Sequence, residues 1–123
     1  MSEVDLKKRL WRLHIEDMIE FSEKVLAYTE GMDRKAFLAD GLIYDATLRN
    51  LQLIGAAAMH VPIEVRQAQP EIPWHIFTGT CYHLVRSYLT INKSCVWDII
   101  QEGVPDVLPV LRKLSDSESG KEN

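Results

Sequence analysis

The sequence predicts an all-α fold: an up-and-down helical bundle of three long helices plus two or three short helices. Three observations predict it. Apolar residues recur at three- and four-residue steps over long stretches. No useful length alternates with period two. The breaks between the periodic stretches fall at glycine, proline and capping residues.

The first long helix is read over residues 5–29. Trp11, Ile15, Met18, Ile19, Val25 and Leu26 form its apolar face. Arg12, Glu16, Asp17, Glu20, Glu23 and Lys24 fill the other side, with Glu20–Lys24 a favourable i,i+4 pair. Glu30-Gly31 ends it. Asp33 is the expected N-cap of a short helix from Arg34 to Ala39. A second long helix is read from about Leu42 to Met59, with Ile43, Ala46, Asn50, Leu53, Ile54 and Ala57 on one face. Its GAAA stretch at 55–58 lacks bulk, so a neighbouring helix can approach closely. Pro62 is read as its stop. PIEVRQAQPEIPW then carries Pro62, Pro70 and Pro73 and is read as an ordered turn or loop. A third long helix is read over Trp74 to Ile91. Ser94 is expected to cap a short helix from Cys95 to Glu102, closed by Gly103, and Pro105 to begin a last helix ending near Leu114. The division is therefore residues 1–114 as one helical domain and 115–123, SDSESGKEN, as a disordered polar tail.

A chain of 123 residues with 46% apolar content suits one folded core. The formal charge of −4 argues against a broad nucleic-acid-coating surface, although a local basic cleft would not register in the total. No run reaches the ~20 apolar residues that span a bilayer, so no membrane association is expected. The opening MSEVDLKKRLW lacks an apolar run and a small-residue cleavage site, and is not read as a signal peptide. Cys81 and Cys95 have no paired spacing, and free thiols suit a cytoplasmic location.

The segments IEDMIEFSEKVLAYTEG (15–31), RKAFLAD (34–40), DATLRNLQLIGAAA (45–58), PEIPW (70–74) and VWDIIQEGVPDVLP (96–109) occur in an order that resembles the HepT-like branch of the HEPN ribonuclease toxins. The likeness covers about residues 10–112. It implies a small helical bundle that forms a homodimer, and a metal-independent RNase cleft at the dimer interface built on Arg-x4-His-x-Tyr. It also implies a small nucleotidyltransferase antitoxin of the MNT type as partner, which in some pairs adds AMP to the motif tyrosine. No cofactor and no metal are implied.

The motif is degenerate here. Counted from PEIPW, the arginine position holds Cys81, the histidine position holds Arg86, and only the tyrosine is kept, as Tyr88. Ile54-Gly55 is followed by Ala56 where acidic residues commonly stand, and Asn92 stands in an aspartate position. Metal-free RNA cleavage needs a proton-transfer group near neutral pKa and a cation for the developing phosphate charge. Arg86 cannot exchange protons at neutral pH, and Cys81 cannot grip a phosphate. The reading is therefore a family protein with lost or much weakened activity that acts by binding. The alternative is an active ribonuclease with a rearranged site, His83 as base and Arg86 as clamp, three residues apart on one helix face; RNA is then a partner too.

The remaining candidates stay two-sided. Cys81 is read as a small buried apolar residue rather than a nucleophile. Tyr88 is either an AMP acceptor or a boundary phenol. Arg49 and Asn50 are either the polar floor of the cleft or a buried hydrogen-bonded pair. His14 is read as a core-edge histidine, and His60 and His75, flanking the proline segment, lack a carboxylate at ligand spacing. Lys7, Lys8, Arg9 and Arg12 read as a solvated helix start that can also touch RNA or an acidic partner.

Overall fold

The computed structural model describes residues 2–79 and 93–121, and all secondary structure among them is helical. α1 runs Glu3–Thr29. Gly31 ends it with φ 77, the left-handed conformation that a residue without Cβ adopts at least cost. Asp33 caps α2 (Arg34–Ala39) by accepting the Ala36 N–H at 2.8 Å. Asp40, which closes α2, also caps α3 (Gly41–Met59) by accepting the Ile43 N–H at 3.0 Å.

α1 packs on α3 and on the last helix of the chain. His14, in the first half of α1, meets His60 at the end of α3, so these two helices run antiparallel. The α1 stripe is as read: Trp11, Ile15, Met18 and Val25 are buried, with Ile19 and Leu26 half-buried. The α3 stripe is not. Its buried line passes through Tyr44, Thr47, Asn50, Leu51, Ile54, Ala57 and Ala58, while Ile43, Ala46 and Leu53 are only half-buried. The correction is a rotation of the face. Periodicity weighs Ile43 and Leu53 as apolar and discounts Thr47 and Tyr44, but a threonine methyl and a phenol ring fill a helix seam as well as an aliphatic chain does. Burial and the nearby Asp45 carboxylate push the Tyr44 phenol up from its ordinary value of 10.0. Thr47 Oγ1 is sealed from solvent with no hydrogen-bond partner among the described residues.

The proline segment holds a helix that periodicity missed. α4 spans Ile63–Ala68, entered through Pro62 at φ −56 and ψ 144. Pro62 thus starts a helix rather than only stopping one. Glu64 sits in its first turn and Arg66 in its last, the signs that the helix dipole favours. Gln69, ahead of Pro70, leaves the helix at φ −124, as a residue before proline does. α5 is described over residues 74–79.

The C-terminal part departs most from expectation. α6 (Lys93–Asp98), a π-turn (Ile99–Gly103) and α7 (Val104–Lys121) are continuous in helix. Ser94 lies inside α6, not at its cap, and Gly103 closes nothing. The Val104 N–H reaches back five residues to the Ile99 carbonyl, and Pro105, which has no N–H, follows directly. A regular α-turn would set the proline ring against a carbonyl four residues back. The wider turn gives the ring room while the helix continues. The polar run from Ser115, expected to be without structure, is helical as far as Lys121.

The core joins these elements. Ile15, Met18, Phe37, Ile54, Ile100 and Leu111 have no exposed surface, each burial contributing about 1.5–3 kcal/mol. The Phe37 ring lies 5.5 Å from Tyr44 and 5.2 Å from Trp97, centre to centre, locking α2 to α3 and α6. Among the described residues two exposed ion pairs cross between helices, Arg34–Asp98 at 2.8 Å and Arg112–Glu23 at 3.1 Å. At this exposure each contributes at most about 1 kcal/mol. No helix among the described residues is long and apolar enough to cross a membrane.

Candidate functional site

The segments PEIPW and VWDIIQE, far apart in sequence, face one another. After Gln69 the chain turns: the Ile72 N–H bonds the Gln69 carbonyl at 3.2 Å, and the Trp74 N–H bonds the Ile72 carbonyl at 2.8 Å. Ile72 and Trp74 are buried, and the Trp74 indole N–H donates to the Gln69 carbonyl at 3.1 Å. The indole therefore staples the turn to the helix that follows. The Ile76 N–H bonds the Pro73 carbonyl at 3.0 Å, Thr78 Oγ1 donates back to the Trp74 carbonyl at 3.0 Å, and Phe77 is buried. The entry of α5 is thus fixed by two buried aromatic rings.

Against this turn lies the π-turn. Together they line a cavity of about 510 Å³, with Pro70, Glu71, Ile72, Pro73, His75 and Ile76 on one wall and Asp98, Ile99, Glu102, Gly103, Asp106 and Val107 on the other. The widened turn carries Glu102 and Gly103 into the wall, and π-turns often occur where a helix is shaped for function. Four carboxylates line the space. Asp98 is paired with Arg34. Among the described residues no cation is within ion-pair distance of Glu71, Glu102 or Asp106. The described part of the walls is therefore a negative surface interleaved with apolar side chains. Such a surface repels phosphate and attracts lysine and arginine side chains. Among the described residues no group of three or more His, Cys, Asp or Glu side chains is placed to hold a metal ion.

Cys81, His83, Arg86 and Tyr88 lie outside the described residues. Arg49 and Asn50 part company. Asn50 is buried and its Nδ2 donates to the Ala46 carbonyl at 2.9 Å, while Arg49 is exposed. The buried pair does not form: adjacent residues on a helix point about 100° apart, and Asn50 is satisfied by its own helix. Cys95 is exposed and free.

Sequence reasoning missed a second constellation. His14 and His60 stack with ring centres 4.9 Å apart and planes 22° from parallel. His14 is half-buried, at the edge of the core. Its neighbour sits forty-six positions on, and only the antiparallel pairing of α1 and α3 brings the two together.

The family described as "Ribonuclease HepT-like" matches residues 18–114. A "Putative RNase" of Methanocaldococcus jannaschii is 29% identical over 107 residues, covering 87% of this chain and 94% of the relative. The "Probable ribonuclease HepT" of Thermococcus cleftensis is 27% identical over 107 residues, covering 87% and 97%. A third relative, also from Methanocaldococcus jannaschii and named "Gamma-glutamylcyclotransferase and putative RNase", is 23% identical over 116 residues; this chain spans 52% of its length. No solved structure gives a significant match. The chain belongs to the HepT-like ribonuclease family.

Proposed function

We propose that this protein is a HepT-like member of a toxin–antitoxin pair whose ribonuclease activity is lost or much weakened. It acts by binding, as a homodimer, an MNT-type nucleotidyltransferase. The observation that carries the reading is the pair of replacements in the motif: Cys81 stands at the arginine position and Arg86 at the histidine position. Removing a general acid or base typically costs ~10²–10⁴-fold in rate, and the charge clamp is gone as well. The acidic cavity between PEIPW and the π-turn supports binding over catalysis, since Glu71, Glu102 and Asp106 favour a basic protein surface and disfavour RNA. Tyr88, the retained phenol, is the acceptor if the partner transfers AMP.

Expression of the chain alone tests this. Growth should be unaffected, and purified protein should leave RNA intact. Cys81→Arg combined with Arg86→His should restore cleavage by ~10²-fold or more. Brisk RNA cleavage by the unaltered protein would sink the proposal.

The relatives named as ribonucleases favour a second reading, an active enzyme using His83 as base and Arg86 as clamp. It requires that His83→Ala and Arg86→Ala each abolish cleavage.

A further inference from the structure

The end of the bundle formed by the first half of α1, the close of α3 and α4 holds a second cavity, of about 470 Å³. His14 and His60 present stacked imidazoles there, and Arg66 joins them from α4. The Arg66 Nε donates to the Val61 carbonyl at 3.1 Å. That bond aims the guanidinium and leaves its terminal nitrogens for a ligand. Among the described residues no carboxylate lines the cavity and none pairs with Arg66. In a chain with 18 acidic residues and net charge −4, this is a local reversal of sign.

Two imidazoles and a guanidinium make a donor-rich, cationic set, the combination that grips phosphate oxygens. A metal ion fits poorly, because the two imidazoles gain no third ligand among the described residues and the guanidinium opposes a cation. The rim has the other character. Leu10, Met59 and Ile63 are 41%, 58% and 55% exposed. Exposed apolar side chains gathered beside a charged pocket mark a binding surface rather than scattered surface residues. An anion grip beside an apolar shelf suits a ligand with a phosphate at one end and a planar ring at the other. The volume falls within the ~300–1,000 Å³ of small-molecule sites.

We propose that this cavity binds a nucleoside monophosphate unit, its phosphate on His14, His60 and Arg66 and its base on Leu10, Met59 and Ile63. The unit is either a free nucleotide or the phosphorylated end of an RNA chain.

Titration of the full chain with AMP, adenosine and inorganic phosphate tests it, read by calorimetry and by the two histidines' imidazole resonances. AMP should bind one per chain, shift both resonances, and bind at least tenfold tighter than adenosine or phosphate. Arg66→Gln should weaken AMP at least tenfold with an unchanged melting curve, and Arg66→Lys should recover part of the loss. Should Arg66→Gln fail to fold, Met59→Ser at the exposed rim should weaken AMP and leave phosphate binding intact. A 5′-phosphorylated RNA oligomer that displaces AMP identifies the RNA end as the source; one that does not identifies the free nucleotide. The proposal is overturned if AMP leaves both resonances in place, binds no better than phosphate, or is indifferent to these variants. It is equally overturned if zinc alone moves the imidazoles while AMP does not.

Discussion

The N-terminal half and the C-terminal half of this bundle are ended by different physics. In the first, each boundary is written locally. Gly31 takes a positive φ, and Asp33 and Asp40 each accept an N–H from the turn they cap. In the second, two glycines, two prolines and several serines all fall inside one continuous helix from Lys93 to Lys121. Gly103 has no positive φ, and a Cβ there would meet only Ile99 Cγ2, at 3.8 Å. The same residue types therefore stop a helix in one place and are carried through in another. What carries them is packing: Val96, Trp97, Ile100, Val104, Val107 and Leu111 are buried. Local propensity yields when a tertiary face is that continuous.

The sharpest way to break this comparison is to remove the packing. Ile100→Ala, at a fully buried position within the π-turn, should destabilise the protein by about 2–5 kcal/mol in urea unfolding. A loss below about 1 kcal/mol would mean that the turn is held by its own backbone. Next in size is the glycine pair. Gly31→Ala should cost about 1 kcal/mol, because the left-handed conformation strains a Cβ. Gly103→Ala should stabilise by about 0.5–1 kcal/mol, because alanine is the better helix former and space is open. If both substitutions destabilise, Gly103 is a terminator after all. The smallest effect is on pH dependence. The Tyr44 phenol is held above its ordinary value, so its contribution to stability is whole below pH ~10 and is lost as pH rises through the folded value. Tyr44→Phe should flatten that alkaline loss in melting curves taken from pH 8 to 11; an unchanged slope would locate the titration elsewhere.

Legibility follows the same division. The α1 stripe, the Gly31 stop and the Asp33 cap are visible in sequence because each depends on neighbours within a few positions. The GAAA stretch correctly marks α3 as a close-packed helix: Gly55, Ala57 and Ala58 are buried. The turn of α3's face was not visible, because Tyr44 and Thr47 count as polar until something packs on them. Nor was α4, because Pro62, Pro70 and Pro73 mask six good helical residues between them. The π-turn needs knowledge of what α6 and α7 pack against. The acidic cavity is legible only in part: PEIPW and VWDIIQE stand out in sequence, but their meeting across the cavity does not. The His14–His60 stack needs two helices to be docked before it exists.

Thr47 carries a consequence of its own. Its hydroxyl is enclosed without a partner among the described residues, so desolvation of that oxygen works against folding by about 1–3 kcal/mol. A methyl in its place would occupy nearly the same volume without that penalty. The interior therefore stops short of its own optimum, as selection for adequate rather than maximal durability leaves it, and headroom for engineering a hardier variant is already present at a single atom.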